Sequence, residues 1–409
     1  MALKTTKPSK IDGARRRVTI LGATGSVGRS TLDLLGRQPE AYSIVALTAQ
    51  RNVDLLAAQA RQCNAELAVI GDESRYGALR DALAGSGVEV AAGTQALCEA
   101  AGRPSDWVMA GIVGAAGLGP TLAAIRQGAV IALANKECLV CAGELMLQEV
   151  EHSGATLLPV DSEHNAIYQV FDFERPAAID RIILTASGGP FLTLDVTAMA
   201  QVTPAQAVAH PNWDMGAKIS VDSATMMNKG LEFIEAYHLF PVGAEQIEIL
   251  IHPQSVVHSM VGYVDGSVLA QLGMPDMRTP ISYALAWPER MVTPTERLDL
   301  AHIGNLSFEA PDPMRFPSLR LAREALAAGG TAPTVLNGAN EIAVAAFLAE
   351  RLGFLEIARI VEETLNTIAT SSVANLADVA AADTEARSVA RQLAGLPPVG
   401  DGRLSLVQG

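Results

Sequence analysis

A short run of β-type residues, a glycine-rich turn and a helical pattern follow one another near the N-terminus. The β-type run covers residues 17–21, the turn reads Gly22-Ala-Thr-Gly-Ser-Val-Gly28, and the helical pattern covers 29–35. Glycines let the backbone approach a pyrophosphate closely, and the free N–H groups at a helix start favour the anion. Because the turn lies between a strand and a helix, the segment predicts a dinucleotide-binding unit.

The same alternation of strand and helix continues for about 150 residues. Further β-type runs occupy 42–49, 67–70, 88–91, 107–110 and 129–134. This order predicts an N-terminal Rossmann-type domain with a mostly parallel sheet over residues 17–156. The segment 107–125 carries no charge, but its glycines and Pro120 divide it into a strand, a loop and a helix start. We therefore do not expect it to span a membrane.

Polar residues after two of these strands indicate where a cofactor binds. The second strand is followed by Gln50-Arg51-Asn52, where a protein that selects NAD usually has an acid. Arg51 is suited to pairing with a 2′-phosphate, so NADP is favoured over NAD. The run 129–134 ends at Asn135-Lys136-Glu137, which is either a ligand-binding group or an ordinary helix cap.

Two carboxylates follow the next apolar run. Residues 157–160 lead into Asp161-Ser-Glu-His-Asn165. If the extended geometry persists, Asp161 and Glu163 leave the backbone on the same side and are close enough to share a cation. Paired carboxylates suit Mg²⁺ or Mn²⁺ better than zinc. The alternative is a solvated loop after a strand.

The middle of the chain contains a candidate phosphate site. A predicted strand at 179–185 leads into Ser187-Gly-Gly189, and the polar segment 210–216 has the composition of a loop that covers a ligand. We predict a strand at 218–222 and a helix opening at Ser223. On that helix Asn228, Lys229 and Glu232 share one face, which is either a phosphate and metal site or a solvated surface.

The remaining segments predict a second sheet and a helical bundle. Runs at 247–251, 255–263 and 267–272 predict a β-meander with a hairpin turn at Asp265-Gly266, whose apolar character suggests a subunit contact. His252 and His258 are interpreted as sheet or interface residues. Helical patterns at 318–328, 336–351, 354–367 and 383–393 predict a C-terminal bundle.

Composition excludes several classes of protein. The 409 residues are 49% apolar and 18% charged, which predicts a globular protein of two or three domains. A net charge of −14 argues against nucleic-acid and anionic-membrane partners. The basic residues 1–16 have no signal-peptide core and are interpreted as a disordered lead-in, so a cytoplasmic location is expected. Cys138 and Cys141 form an isolated C-x-x-C, interpreted as packed thiols rather than a zinc site.

Taken together, these motifs resemble the 1-deoxy-D-xylulose 5-phosphate reductoisomerase family of the non-mevalonate isoprenoid pathway. The resemblance extends along nearly the whole chain, in order. It rests on Gly22–Gly28, Ala134–Glu137, Asp161–Asn165, Ser187–Gly189, His210–Gly216, Ser223–Glu232, Met274-Pro-Asp-Met-Arg278 and Leu336-Asn-Gly-Ala-Asn-Glu341.

The resemblance implies rearrangement of the substrate followed by NADPH reduction to 2-C-methyl-D-erythritol 4-phosphate. It implies a Rossmann-type NADPH domain (17–156), a central α+β catalytic, metal and dimerisation domain (157–300), a linker (301–317) and a C-terminal α-helical domain (318–409).

The resemblance also implies the site residues. Metal ligands would be Asp161, Glu163 and Glu232, binding Mg²⁺ or Mn²⁺. Substrate-binding residues would be Lys136, Ser162, Glu163, Ser187, His210, Ser223, Asn228, Lys229 and Glu232. Catalytic residues would be Lys136, Glu163, His210 and Trp213. NADPH-binding residues would be Thr24, Gly25, Ser26, Val27, Gln50, Arg51, Asn52, Asn135, Glu137 and Gly216. A homodimer acting on a small phosphorylated sugar is also implied.

Two other functions fit parts of this pattern. A simple NADP-dependent dehydrogenase acting on a small phosphorylated carbonyl compound would need no site with three acids. A Rossmann-fold redox sensor would bind NADPH without consuming it. The three acids, the candidate phosphate site and the cofactor turn favour the reductoisomerase over both.

Overall fold

The computed structural model describes residues 15–209, 213 and 215–397. Most of the predicted lead-in, 1–14, lies outside these residues. Arg16 does not belong to the lead-in, because it begins the first strand and pairs with Tyr42. Among the described residues, no helix combines the length and apolar character that crossing a bilayer requires.

The N-terminal half is built on a seven-stranded parallel sheet in the order β4-β3-β2-β1-β5-β6-β7. Its strands are β1 Arg16–Leu21, β2 Tyr42–Ala49, β3 Leu67–Ile70, β4 Glu89–Ala92, β5 Trp107–Ala110, β6 Val130–Leu133 and β7 Thr156–Pro159. The helices of this half are α1 Ser26–Gly36, α2 Val53–Gln62, α3 Tyr76–Ala82, α4 Thr94–Ala101, α5 Leu118–Arg126 and α6 Lys136–Ser153. Every residue of β3, β5, β6 and β7 is buried, as expected for parallel strands covered by helices on both faces. The predicted Rossmann-type sheet is confirmed.

The boundary predicted between residues 156 and 157 needs correction. It falls inside β7, and all four residues of that strand pair with β6, from Thr156 opposite Val130 to Pro159 opposite Leu133. The first sheet therefore continues to Pro159. Asp161 follows after Val160, at the carboxyl edge where the other parallel strands also end.

A second, four-stranded sheet forms the middle of the chain, in the order β11-β10-β8-β9. Its strands are β8 Ile179–Ala186, β9 Ile247–Ile251, β10 Val257–Tyr263 and β11 Val268–Leu272. The helices of this region are α7 Ser162–Val170, α8 Val196–Met199, α9 Pro204–Val208, α10 Ala217–Ala224, α11 Met227–Leu239, α12 Arg278–Ala286 and α13 Leu300–Ile303. Short 3-10 turns occur at Glu73–Arg75, Ala115–Gly117, Pro176–Ala178 and Ala244–Gln246.

Two predictions for this middle region are wrong. The three strands after residue 246 do not form a meander, because β8 lies between β9 and β10 and pairs in parallel with β9. The hairpin of β10 and β11 is present, with Gly266 in the left-handed region at φ +87°. Residues 218–222 are helical rather than extended, and the Ser220 hydroxyl donates to the Gly216 carbonyl within the first turn. Helical packing there overrides the β propensity of the Ile-Ser-Val sequence.

Four helices complete the chain. They are α14 Ser318–Ala328, α15 Ala332–Leu348, α16 Phe354–Thr367 and α17 Leu376–Leu393, which confirms the predicted C-terminal bundle. Helix α15 packs against α16 and α17 and also contacts α6 and α10. The bundle is therefore joined to both preceding regions. Among the described residues all four cysteines are free thiols, and Cys138 and Cys141 are buried as predicted.

Candidate active site

The glycine turn between β1 and α1 is shaped by close backbone contacts. Gly22 has φ +85°, and a Cβ at this position would lie 2.5 Å from the Gly111 carbonyl oxygen. A Cβ at Gly28 would lie 2.4 Å from the Gly22 carbonyl oxygen. Helix α1 begins directly after Gly25, so its first-turn N–H groups face the turn. The predicted strand, turn and helix are confirmed, and the turn fits the pyrophosphate of a dinucleotide.

The segment after β2 presents Arg51 at the surface beside the turn. Its side chain is 53% exposed, and its Nε lies 3.4 Å from Asp72 Oδ2. Asn52 caps α2 by accepting a hydrogen bond from the Leu55 N–H at 3.1 Å. The Gln50 carboxamide packs so closely on Gly71 that a Cβ there would lie 2.1 Å from Gln50 Oε1. Asn52 and Gln50 thus shape this edge, while the Arg51 guanidinium extends from it.

Asn135 and Glu137 hold the start of α6 in place. The Asn135 side chain caps the helix and donates to the carbonyl oxygens of Ile112 and Gly114, the latter at 2.9 Å. Glu137 Oε1 accepts from Lys218 Nζ at 2.9 Å. Lys136, between them, turns into a pocket at the carboxyl edge of the sheet.

The acids predicted as metal ligands meet at this pocket, though not through the predicted extended geometry. Asp161 is the N-cap of α7 and Glu163 lies in its first turn, so the chain is already helical between them. Glu232 is brought in from α11 and is 0% exposed. Asp161, Glu163 and Glu232 each offer an oxygen, and these three oxygens lie within 4.8 Å of one another.

Two lysines neutralise much of the charge of these acids. Lys136 Nζ lies 2.5 Å from Asp161 Oδ2 and 3.0 Å from Glu232 Oε1. Lys229 Nζ lies 2.8 Å from Glu163 Oε1 and also contacts Glu232 Oε2. We call these three acids and two lysines the carboxylate cluster. Its all-oxygen ligand set fits a hard divalent cation such as Mg²⁺.

The acids of the carboxylate cluster differ in proton affinity. Burial, together with the negative charge of Glu163, raises the pKa of Glu232 to about 7 although two lysines oppose the shift. Burial also acts to raise the pKa of Glu163, but the charge and hydrogen bond of Lys229 outweigh it and lower the value to about 2. The Ser162 hydroxyl adds a hydrogen bond to Glu163 Oε2 at 2.5 Å. Glu163, which lines the pocket, therefore has a lowered pKa, whereas the fully buried Glu232 has a raised pKa.

Behind the carboxylate cluster lies a buried pair that the sequence analysis did not select. His164 Nδ1 is 3.0 Å from Glu235 Oε2, and His164 Nε2 is 2.9 Å from the Glu232 carbonyl oxygen. Burial lowers the pKa of His164, but Glu235 more than compensates and raises it to about 9. Both ring nitrogens of His164 thus lie against atoms of α11, so this side chain links α7 to α11. In the sequence, Glu235 could have been selected because it lies three residues after Glu232 and therefore on the same face of the helix.

A polar pocket wall forms where β8, α10 and α11 meet. Ser187 follows β8, and its hydroxyl accepts from the Gly189 N–H at 3.1 Å. A Cβ at Gly189 would lie 2.7 Å from the Ser223 carbonyl oxygen, so only glycine lets the two segments approach. Ser223 lies in the last turn of α10 rather than opening a helix, and Asn228 and Lys229 lie in the first turn of α11.

The predicted shared face of α11 is confirmed. Asn228 Nδ2 donates to Glu232 Oε1 at 2.6 Å, and Asn228 Oδ1 accepts from Lys136 Nζ at 2.7 Å. Ser187, Ser223, Asn228 and Lys229 all line the pocket that Lys136 enters. The structure therefore joins the candidate phosphate site to the candidate metal site.

Of the segment 210–216, His210, Pro211, Asn212 and Asp214 lie outside the described residues. Trp213 lines the pocket, with its ring centroid 6.1 Å from that of His258. His258 lies on β10, as its interpretation as a sheet residue required, but it also lines the pocket. Met215 and Gly216 reach both the pocket and the groove beside Thr24, Gly25 and Ser26. This groove connects the cofactor turn to the carboxylate cluster.

Comparison with protein families gives matches to three family models that follow one another along the chain. The model described as 1-deoxy-D-xylulose 5-phosphate reductoisomerase matches residues 18–143. The model of a C-terminal domain of the same enzyme matches 157–240, and one described as DXP reductoisomerase C-terminal domain matches 272–389.

Curated proteins of the same name resemble the chain over nearly its whole length. The 1-deoxy-D-xylulose 5-phosphate reductoisomerase of Rhodospirillum centenum is 64% identical over 378 residues, covering 92% of this chain and 94% of the relative. That of Zymomonas mobilis is 60% identical, covering 92% of this chain and 97% of the relative.

Solved structures show the same architecture. The Zymomonas mobilis reductoisomerase in complex with NADPH has 58% identity and a TM-score of 0.88, covering 93% of this chain and 98% of that one. A DOX-P reductoisomerase in complex with NADPH, fosmidomycin and magnesium has 45% identity and a TM-score of 0.88, with the same coverage.

Proposed function

Since the chain belongs to the 1-deoxy-D-xylulose 5-phosphate reductoisomerase family, we propose that it converts 1-deoxy-D-xylulose 5-phosphate to 2-C-methyl-D-erythritol 4-phosphate. The reaction consumes NADPH and depends on a divalent cation, which makes the protein an NADP-dependent oxidoreductase. One observation supports this function above the others. Three converging carboxylates and two lysines lie in or directly behind one pocket with a polar wall suited to phosphate, and a groove joins this pocket to a dinucleotide turn.

The proposed reaction has two stages with different demands. First, a carbon–carbon bond beside a carbonyl breaks and re-forms, so negative charge develops on substrate oxygens. A cation bound by Asp161, Glu163 and Glu232 would supply Lewis-acid stabilisation of that charge. The second stage reduces the resulting aldehyde by hydride transfer from NADPH. A pocket connected to the cofactor groove allows both stages without release of the intermediate.

Lys136 and Lys229 have roles that follow from their present partners. Each ammonium group now lies against cluster carboxylates. When a divalent cation neutralises these acids, the lysines are able to turn toward substrate. We assign Lys229, with Ser187, Ser223 and Asn228, to the substrate phosphate, and Lys136 to a substrate oxygen near the reacting carbons. Phosphate binding would hold the reacting carbons in line, because it contributes binding free energy away from the chemistry.

The remaining site assignments are also proposals. Ser162 and Glu163 would contact substrate hydroxyls, His210 would lie at the reacting end, and Trp213 would cover the substrate. NADPH would be held at Thr24, Gly25, Ser26, Val27, Gln50, Arg51, Asn52, Asn135, Glu137 and Gly216. The domain division at residues 300, 317 and 318 is proposed with them. The start of α14 at Ser318 supports the boundary between 317 and 318, whereas the boundary between 300 and 301 falls inside α13.

The same proposal includes Mn²⁺ as an alternative to Mg²⁺, a cytoplasmic location and a homodimer. The dimer is supported by exposed apolar side chains on the β10–β11 hairpin, where Val264 is 68%, Val268 48% and Leu269 49% exposed. Strand β11 is also the outer edge of its sheet, so its free edge is available for pairing. Light scattering on the purified protein tests the dimer, and Leu269→Asp should shift it toward monomer.

The test of the reaction follows NADPH absorbance with 1-deoxy-D-xylulose 5-phosphate and Mg²⁺. We expect NADPH oxidation that stops when EDTA is added and resumes with excess Mg²⁺. Folded protein that oxidises no NADPH would contradict the proposal. Oxidation that is insensitive to EDTA would instead indicate a simple dehydrogenase.

Arg51 provides a separate test of cofactor recognition. Its exposed guanidinium lies at the end of β2, where the 2′-phosphate of NADPH is expected. Loss of one hydrogen bond between charged groups costs about 1.5 kcal/mol, so Arg51→Ala should raise the KM for NADPH about tenfold. The KM for NADH should stay nearly constant. Equal increases for both cofactors would exclude contact with the 2′-phosphate.

A further inference from the structure

One sequence motif is not explained by the candidate active site. Residues Leu336-Asn-Gly-Ala-Asn-Glu341 lie in α15 of the C-terminal bundle, and none of them lines the pocket. Asn340 is nevertheless 0% exposed, and its Nδ2 donates to Asp222 Oδ1 on α10 at 2.8 Å. The motif therefore acts on the helix that follows Gly216.

Asp222 in turn holds a half-buried lysine, whose side chain is 23% exposed. Lys218 Nζ lies 2.8 Å from Asp222 Oδ2 and 2.9 Å from Glu137 Oε1. Asp222 is 1% exposed, with Asn340 on one oxygen and Lys218 on the other. A continuous chain of side-chain contacts thus runs from α15 through α10 to the first turn of α6.

A second branch anchors the same chain to the bundle. Glu341 Oε2 lies 2.5 Å from an Arg387 guanidinium nitrogen, and Arg387 Nε lies 2.7 Å from Asp383 Oδ2. The other Glu341 oxygen, Oε1, packs closely on Gly114, because a Cβ added there would lie 3.0 Å from it. The Gly114 carbonyl oxygen in turn accepts a hydrogen bond from the Asn135 side chain. We call the combined set the bundle network: Glu137, Lys218, Asp222, Asn340, Glu341, Arg387.

The two segments that Lys218 joins both belong to the proposed cofactor site. Gly216, two residues before Lys218, is the N-cap of α10 and borders the groove beside the glycine turn. Glu137 follows Lys136, which reaches the carboxylate cluster. A link between them sets the separation between one wall of the cofactor groove and the lysine at the reacting end.

We propose that Lys218 is a positioning residue, which holds Gly216 in the wall of the cofactor groove at a fixed position relative to the start of α6. Asn340 keeps Lys218 in place through its hydrogen bond to Asp222. The inference rests on the proposed function. Lys218 does not line the pocket and so acts through its neighbours. An ion pair suits this role because its partners demand a particular geometry, whereas apolar packing tolerates displacement.

The test compares three variants that each remove one polar contact. Lys218→Met keeps the chain length without the charge, and Asn340→Leu removes the amide at similar volume. Arg387→Met is the matched control, because it removes a cation from the far end of the same network. Two readouts are measured: the NADPH dissociation constant by fluorescence without substrate, and the isotope effect on kcat/KM with deuterated NADPH.

We expect Lys218→Met to weaken NADPH binding about tenfold and Asn340→Leu about threefold, with the isotope effect rising in both. The isotope effect rises because a misplaced donor makes hydride transfer more fully rate-limiting. Arg387→Met should lower the thermal midpoint while leaving NADPH affinity within about twofold of wild type.

Unchanged NADPH affinity and isotope effect in Lys218→Met would overturn the proposal. Equal loss of affinity in Arg387→Met would also overturn it, because the effect would then be general destabilisation. If Lys218→Met fails to fold, Asn340→Leu decides by the same criteria. A wild-type protein that binds NADPH but does not turn over the sugar phosphate would refute the proposed function, while the affinity comparison would still test the network.

Discussion

Two buried charge clusters meet at neighbouring residues of α6, and they differ in how their acids are balanced. Lys136 enters the carboxylate cluster, and Glu137 enters the bundle network. Burial acts to raise the pKa of an acid in both places. In Glu232 the nearby charges of Glu163 and Asp161 add to that effect and the value rises to about 7. In Glu137 the charge and hydrogen bond of Lys218 outweigh burial, so the pKa falls below its ordinary value.

The difference separates a ligand site from a structural link. Glu232 lies among other acids, so a divalent cation would relieve repulsion that the lysines do not fully cancel. Glu137 already has a cationic partner that satisfies its charge, so its carboxylate needs no metal ion. Burial and ion pairing alone therefore do not identify the reactive cluster. The convergence of three carboxylate oxygens within 4.8 Å of one another does.

Replacing Glu232 should produce the largest effect on turnover. Glu232→Gln removes one cluster charge while keeping the side-chain shape, so we expect kcat to fall on the order of 10²-fold or more, as for loss of other charge-stabilising groups. The raised pKa means that a neutral side chain is tolerated here, so the thermal midpoint should change little. Steady-state kinetics and calorimetry measure the two quantities. Near-normal turnover would remove Glu232 from the metal site.

Addition of Mg²⁺ should stabilise the protein through the carboxylate cluster. At a free concentration 100-fold above Kd, a ligand that binds only the native state adds about 2.7 kcal/mol to the free energy of unfolding. Denaturant titrations with and without Mg²⁺ measure this gain. Arg387→Met should retain it and Glu232→Gln should lose most of it. The same gain in Glu232→Gln would show that the ion binds elsewhere.

Removal of a bundle-network cation should reduce stability instead. Arg387→Met leaves Glu341 and Asp383 without their guanidinium partner in a mostly buried setting. We expect the free energy of unfolding to fall by about 2 kcal/mol, less than for a fully buried pair. Turnover per folded molecule should stay within about threefold of wild type. A large loss of turnover with unchanged stability would reverse the distinction between the two clusters.

The sequence by itself determined the features that depend on local pattern. Strands β2, β3 and β5 have the predicted bounds, because apolar runs bounded by polar residues and glycines report burial directly. The cofactor turn was recognisable for a similar reason, since Gly22 and Gly28 are needed for contacts within one strand–turn–helix unit. The shared face of Asn228, Lys229 and Glu232 followed from helical spacing alone.

Only the tertiary structure decided which distant segments meet. Strand β8 lies between β9 and β10, a pairing that sequence order does not reveal, because partners in a sheet are chosen by the packing of whole faces. Residues 218–222 are helical, and Lys218 pairs with Asp222 one turn further along α10 and with Glu137 on α6. The link from Asn340 to Asp222 joins residues 118 positions apart. The contacts of Lys218 with Glu137 and of Asn340 with Asp222 depend on the completed fold, since no local pattern encodes a partner on a distant segment.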